Sequence, residues 1–272
     1  MVSPICKSSK SNGFDAKGVD YGVNMDLYGV ALGADYTLSN GLRVGAMFNL
    51  GSGDADGQGA GSLASNDFDY YGFGLYAGYT IGQLSVVGDI TYTAVDNDVE
   101  ATLGSFDTVG ASLDSTNLSV GVTGKYEFDY NGLYVTPHAC LRYSTIDIDD
   151  YDVSGRDTYA HFASDSLDVF SIPVGVTVAK EFVAGTWTVK PSFDVTLTGN
   201  FGDDSFDGEV DWVGISNVNT ATSTEVLDNF TYGATLGVGA KTGNFSLGLG
   251  VNYTGSSNVD DFGVNANARY VF

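Results

Sequence analysis

The sequence predicts an all-β chain folded as a transmembrane antiparallel up-and-down β-barrel of about 12 strands. Three observations predict it. Apolar and polar residues alternate with the period of a strand in one segment after another. In the last segment Phe262, Val264, Ala266, Ala268, Tyr270 and Phe272 share one face, and Gly263, Asn265, Asn267 and Arg269 share the other. The connections alternate too, short Gly/Asn turns with long acidic loops, the sorting expected of the two rims of a membrane barrel. Finally, the charges keep parity. Arg43, Lys125, Arg142, Lys190, Lys241 and Arg269 lie on the same face of their strands as the small and polar residues, as do Asp35, Asp89, Glu127 and Asp194. An Arg or Lys on the lipid face near mid-bilayer costs about 2–4 kcal/mol, and a one-residue slip would turn the whole set outward. These ten residues are the candidate pore lining.

Composition narrows the reading. Lys+Arg 11 against Asp+Glu 34 gives a net charge of -23, which argues against nucleic-acid binding, since phosphates are held by basic residues. Charged residues make up only 17%, while Gly (37), Tyr (17) and Phe (16) are abundant, a balance that favours strands over helices. There is no apolar run of about 18 residues, so no helix is expected to span a membrane. Residues 1–7 lack the apolar segment of a signal peptide. Cys6 and Cys140 fall on distant strands. A bridge is not expected, because it needs Cα atoms within about 7 Å.

The elements follow in order. A short first strand is read around Val2 to Ser9, then a polar stretch from Lys10 to Asn24. Met25–Leu38 alternates, with Tyr28, Val30, Leu32, Ala34, Tyr36 and Leu38 outward; Ser39-Asn40-Gly41 turns the chain, and Leu42–Leu50 returns. A loop from Gly51 to Asn66 precedes Asp67–Ile81, the turn Gly82-Gln83 and Leu84–Asp96. An acidic loop from Asn97 to Ala111 leads to a strand carrying Leu118, Val120, Val122, Tyr126 and Phe128. That strand turns through Asp129-Tyr130-Asn131-Gly132 into one carrying Val135, Pro137, Ala139, Leu141 and Tyr143. Loop Asp147–Leu167 is followed by Phe170–Val178, the turn Val183-Ala184-Gly185 and Trp187–Leu197. The longest loop, Gly202 to Glu225, precedes Phe230–Ala240, the turn Thr242-Gly243-Asn244, Phe245–Tyr253 and the last strand. Prolines inside three strands are awkward for a sheet and suggest local distortion or a bulge. Lys180 breaks the charge parity but sits near the short-turn rim, where it can snorkel.

Alternative chemistries are weaker. His138 faces the bore by parity and His161 lies in a loop, but no motif supplies a nucleophile or partner, so no enzyme activity and no cofactor are expected. Asp54-Ala55-Asp56-Gly57 opens like a calcium loop, yet the twelfth position is Ser65 rather than Glu, so solvated loops are favoured over a metal site. Divalent ions bridging the acidic loops to lipopolysaccharide are a weaker alternative.

Segments of this chain resemble the autotransporter β-domain, the translocator of type V secretion. Leu27–Tyr36 followed by Leu42–Ala46 looks like its opening hairpin, as does Tyr71–Tyr79. Val135–Tyr143 is similar to its strand-7 region, with Cys140 where glycine is more usual, and Leu247–Tyr253 with Phe272 fits its last hairpin. The resemblance implies a barrel in the outer membrane of a Gram-negative bacterium that anchors a passenger and supports its export. It implies that residues 1–272 are a single barrel domain, with a signal peptide, passenger and linker helix expected upstream. Tyr270 and Phe272 resemble the signal read by the barrel-assembly machinery. Outer-membrane lipid and lipopolysaccharide are the expected surroundings, and a monomer the expected state. A porin-like channel for small solutes, or an adhesin acting through the acidic loops, are the alternatives.

Overall fold

The computed structural model describes residues 1–15, 20–59, 62–103, 107–155, 157–214 and 219–272. Eighteen strand segments form one sheet: β1 (Val2–Asp15), β2 (Asp20–Thr37), β3 (Arg43–Gly59), β4 (Ala64–Ile81), β5 (Leu84–Leu103), β6 (Asp107–Tyr126), β7 (Phe128–Tyr130), β8 (Leu133–Ile148), β9 (Tyr151–Ser154), β10 (Thr158–Ser164), β11 (Leu167–Lys180), β12 (Phe182–Ala184), β13 (Trp187–Gly202), β14 (Ser205–Trp212), β15 (Asn219–Glu225), β16 (Phe230–Thr242), β17 (Phe245–Gly255) and β18 (Val259–Tyr270). Collinear segments merge into twelve staves of an antiparallel barrel, which β1 closes by pairing with both β2 and β18. Closure pairs both sides of the sheet among the described residues, and lipid would not tolerate an open edge.

The burial pattern is inverted relative to a soluble protein. Large apolar side chains such as Leu32, Phe48, Phe73, Val120, Leu141, Val174 and Leu236 are exposed on the outer wall. Tyr28, Tyr71, Tyr143, Phe170 and Tyr253 mark one edge of this band, and Tyr36, Tyr79, Tyr126, Tyr130 and Tyr270 the other, all of them exposed. Asn131-Gly132 both take positive φ (57° and 81°) in the turn between β7 and β8, as a two-residue hairpin turn requires. The other short turns place Gly41, Gly82, Gly185 and Gly243 at positive φ.

Two expectations need correction, and a third is narrowed. The first strand is not short: β1 runs to Asp15, and the polar stretch from Lys10 to Asn24 continues the β1–β2 pairing as far as Asp15↔Asp20. The long acidic loops are likewise mostly strand. β3 and β4 stay paired out to Asp56 and Ser65, and β5 and β6 out to Leu103 and Asp107. Backbone pairing continues past the membrane because a two-stranded arm satisfies its own N–H and C=O groups even where its side chains are Asp, Gly and Ser. Residues 16–19, 60–61, 104–106, 156 and 215–218 of those predicted connections lie outside the described residues. Finally, of the two readings of the strand prolines, local distortion is what the ladders show and a bulge is not. Each sits where two pairs drop out of one ladder while the register stays unchanged. β11 and β8 pair as Ser171↔Arg142 and again as Val174↔Ala139, skipping Pro173. β11 and β12 pair with β13 as Ala179↔Ser192 and again as Phe182↔Val189, skipping Pro191. The same gap separates Lys125↔His138 from Phe128↔Val135 around Pro137, and Val2↔Ala268 from Ile5↔Asn265 around Pro4. A missing N–H costs the ladder a local gap, while the facing ladder at Pro191, Pro191↔Val238, persists.

Candidate functional site

The inward face carries charged groups joined into staples, each spanning an intervening strand. Asp35 on β2 accepts hydrogen bonds from Arg43 Nε at 2.9 Å and Nη2 at 2.8 Å, a two-point pairing. It also accepts one from Arg269 Nη2 on β18 at 2.8 Å, and one from the hydroxyl of Tyr76 on β4 at 3.2 Å. Tyr76 reaches Asp35 across β3 because the residue between them is Gly45: a Cβ there would stand 2.3 Å from the tyrosine ring. A second staple joins Asp89 on β5 to Arg142 on β8 at 2.7 Å, with Arg142 Nη1 donating to Ser119 Oγ at 2.9 Å. It crosses β6 at Gly121, where a Cβ would sit 2.7 Å from the guanidinium. A third joins His138 on β8 to Asp194 on β13 at 2.8 Å. Asp194 also accepts from Thr177 Oγ1 at 2.6 Å and Thr196 Oγ1 at 2.8 Å, and a Cβ at Gly175 would meet His138 at 2.7 Å.

The ten candidate lining residues therefore fall into distinct groups. Asp35, Arg43 and Arg269 meet, and so do Asp89 and Arg142. Lys190 approaches Glu127 at 3.7 Å while its ammonium lies 3.9 Å from the Tyr134 ring centroid. Asp194 meets His138 rather than one of the predicted cations. Lys125 and Lys241 are exposed near the short-turn rim, opposite Ser85 and Ser246. Lys180, the parity exception, places its ammonium 5.5 Å from the Phe182 ring centroid at the same rim. Of the two terminal aromatics, Tyr270 pairs with Phe245 and packs edge-on to Phe272 at 5.0 Å, and Phe272 is fully exposed. Cys6 and Cys140 are both free thiols. Sequence reasoning missed Tyr76, Ser119, Thr177 and Thr196. Their signal was available only as inward parity, because partners two strands away depend on the register.

Chemically, the staples tie every charged cluster to its own wall. Asp194 spends both oxygens on His138, Thr177 and Thr196. A closed barrel with an apolar outer band and a stapled polar bore is built to sit in a membrane and surround something. The model of the autotransporter beta-domain matches residues 8–254. The chain belongs to that family. Among solved structures it is similar to the translocator domain of autotransporter NalP from Neisseria meningitidis, with TM-score 0.70 and 14% identity over 100% of this chain and 88% of that one. It is also similar to the beta domain of the Bordetella autotransporter BrkA, with TM-score 0.66 and 17% identity over 100% and 99%. The transport unit of the autotransporter AIDA-I from Escherichia coli gives TM-score 0.66 and 13% identity over 100% and 90%. A curated relative, the putative uncharacterized protein YaiT of Escherichia coli strain K12, is 24% identical over 261 residues. The match covers 92% of this chain and 25% of that protein, so the chain spans about a quarter of the relative's length. The β-domain is an outer-membrane translocator and anchor, and the fold described above is that of its relatives.

Proposed function

We propose that this barrel passes a passenger joined to its N-terminal end through the stapled bore and holds it at the cell surface. The observation that carries the reading is the staple geometry. Asp35, Asp89 and Asp194 are each bound to side chains on neighbouring staves of their own wall, which clears the axis for a polypeptide and keeps it wet. A helix about 10–12 Å across matches a twelve-strand bore, between the filled eight-strand and the open sixteen-strand cases. On this reading the long hairpins face the exterior, the short turns face the periplasm, and the chain works as a monomer without catalysis or cofactor. The acidic hairpins lie at the level of lipopolysaccharide, and Tyr270 with Phe272 is the signal for barrel assembly.

The test places a secretory signal peptide and an epitope-tagged unfolded segment ahead of Met1. Antibody should reach the epitope on intact cells. A periplasmic epitope on a correctly folded, heat-modifiable barrel would sink the reading. Phe272→Ser should lower the yield of membrane-inserted barrel several-fold without changing its register once assembled. Unchanged yield would remove the assembly role of the terminal aromatic.

A further inference from the structure

The strands change the meaning of their two faces at the upper aromatic edge. Below it the outer wall is apolar and the inner wall carries the staples. Above it the outer wall turns acidic: Asp26, Asp54, Asp67 and Asp98 stand directly opposite one another across β2 to β5. The inner wall there becomes largely apolar, with the Asn66–Asn97 pair and the Lys7–Asp261 ion pair set into it. Parity places Phe14, Val109, Ala160, Leu167 and Val210 on it, from four different staves. All five are buried, Phe14 at 4%, Val109 at 5% and the other three at 2% exposure. Inward side chains lower down differ in kind: the long charged ones stay open, Arg43 at 40% and Arg142 at 31%, and the buried ones are small, Ala31 at 4%, Ser119 at 7% and Cys140 at 8%. A large apolar side chain such as Leu167, at 2% exposure, is packed against other side chains on its free side.

Two irregularities serve this packing. The β1–β2 register shifts between Asn12 and Phe14, and the shift turns Phe14 from the outer wall to the inner one, opposite Tyr21. The β9–β10 register shifts between Thr158 and Ala160, with the same effect on Ala160. A bulge re-aims a side chain, and here two independent bulges aim apolar residues into the same space. The β9–β10 and β14–β15 hairpins complete the wall, joined edge to edge by Phe162↔Val210 and His161↔Asp211. Their apolar face, where Tyr151 stacks on Phe162 at 4.9 Å and 3°, turns inward, and their face of Asp152, Glu209 and Asp211 turns out.

We propose that the long-hairpin end is a sealed exit. Its inward apolar side chains form a dry core that closes the bore to water and ions until the β9–β10 and β14–β15 hairpins move apart. An apolar constriction of this kind blocks ions by excluding water rather than by charge. The proposal takes from the export reading only which end faces outward. Conductance tests the seal and the surface epitope tests export, so either can fail without the other.

The chain is refolded in detergent and inserted into planar bilayers in potassium chloride. The wild type should give no steady conductance. Leu167→Asn with Val210→Thr, which wets the core at nearly constant volume, should raise conductance at least tenfold. Asp211→Asn on the outer face and Arg142→Ser in the stapled stretch should both stay closed. A wild type that conducts steadily overturns the seal without need of any variant. So does a folded, heat-modifiable double variant that stays closed, or opening by Arg142→Ser.

Discussion

At the scale of single residues, the bore is shaped as much by the side chains that are missing as by those present. Gly121 lets Arg142 lie across β6 to Asp89, and a Cβ there would stand 2.7 Å from Nη2 and 3.2 Å from the carboxylate. Gly121→Val should therefore separate a half-buried charged pair and cost about 1–3 kcal/mol. Gly124, three residues on and facing lipid, has nothing within 4 Å of such an atom. Gly124→Ala should stay within about 0.5 kcal/mol of wild type. Urea unfolding of the refolded barrel in detergent measures both, and equal effects would mean that Gly121 is not a window. The sequence made the parity of Arg142 and Asp89 legible, because period 2 is local. It did not make the pairing legible, because that depends on which residue of the middle strand stands between them, a property of the register.

At the scale of elements, the hairpin arms beyond the membrane keep the period of the strands and change only its chemistry. Asp67-Phe68-Asp69-Tyr70 and Asp96-Asn97-Asp98-Val99-Glu100-Ala101 alternate as strictly as the membrane strands, with acidic residues on the outer face in place of apolar ones. Reading the second run from Asn97 onward as loop followed from the poor strand propensity of Asp and Asn, which weighs less than continued pairing with a neighbour. Like charges directly opposite in a sheet destabilise it, and these rows place Asp54↔Asp67↔Asp98 and Asp69↔Asp96↔Asp114 together. Salt should screen the repulsion, so the melting temperature in detergent should rise between 50 and 500 mM sodium chloride. Asp67→Asn should raise it at low salt by about 0.2–1 kcal/mol of stability and flatten the salt dependence. A melting temperature that falls with salt would place the acidic rows on the stabilising side. The adjoining hairpin makes a pH prediction. Tyr21 packs on Phe14, donates its hydroxyl to the Glu225 carbonyl, and has its pKa pushed up to about 12 by burial and by the nearby Glu225 carboxylate. A raised folded pKa means the neutral form is favoured. Its contribution is full below the unfolded value near 10 and disappears as pH climbs through about 12. Wild type should lose stability over that window faster than Tyr21→Phe, and identical alkaline profiles would exclude Tyr21 as the cause.

At the scale of the whole molecule, the barrel is two stacked environments on one set of strands. Staves of up to 20 residues are about twice the 9–11 that cross a bilayer, so roughly half of β5 and β6 stands clear of it. The membrane half gains stability from lipid or detergent around an apolar exterior. The outer half gains it from the inward core of Phe14, Val109 and Val210, as a soluble barrel does, against the repulsion of its acidic wall. These supports respond differently to urea, which weakens apolar burial in water but acts little on a surface already covered by detergent. The halves should therefore open separately, the outer first. The two tryptophans report them independently. Trp187 starts β13 at the short-turn rim, and Trp212 ends β14 in the outer half, donating to Thr220 at 3.3 Å. Trp187→Phe leaves Trp212 as the sole indole emitter, and Trp212→Phe leaves Trp187. The Trp212 signal should change at a urea concentration at least 1 M below that of Trp187, a gap of about 1–3 kcal/mol at the slopes of small proteins. Coincident transitions would show that lipid-facing and inward-facing burial are one cooperative unit, with the core above the membrane as firmly held as the wall within it.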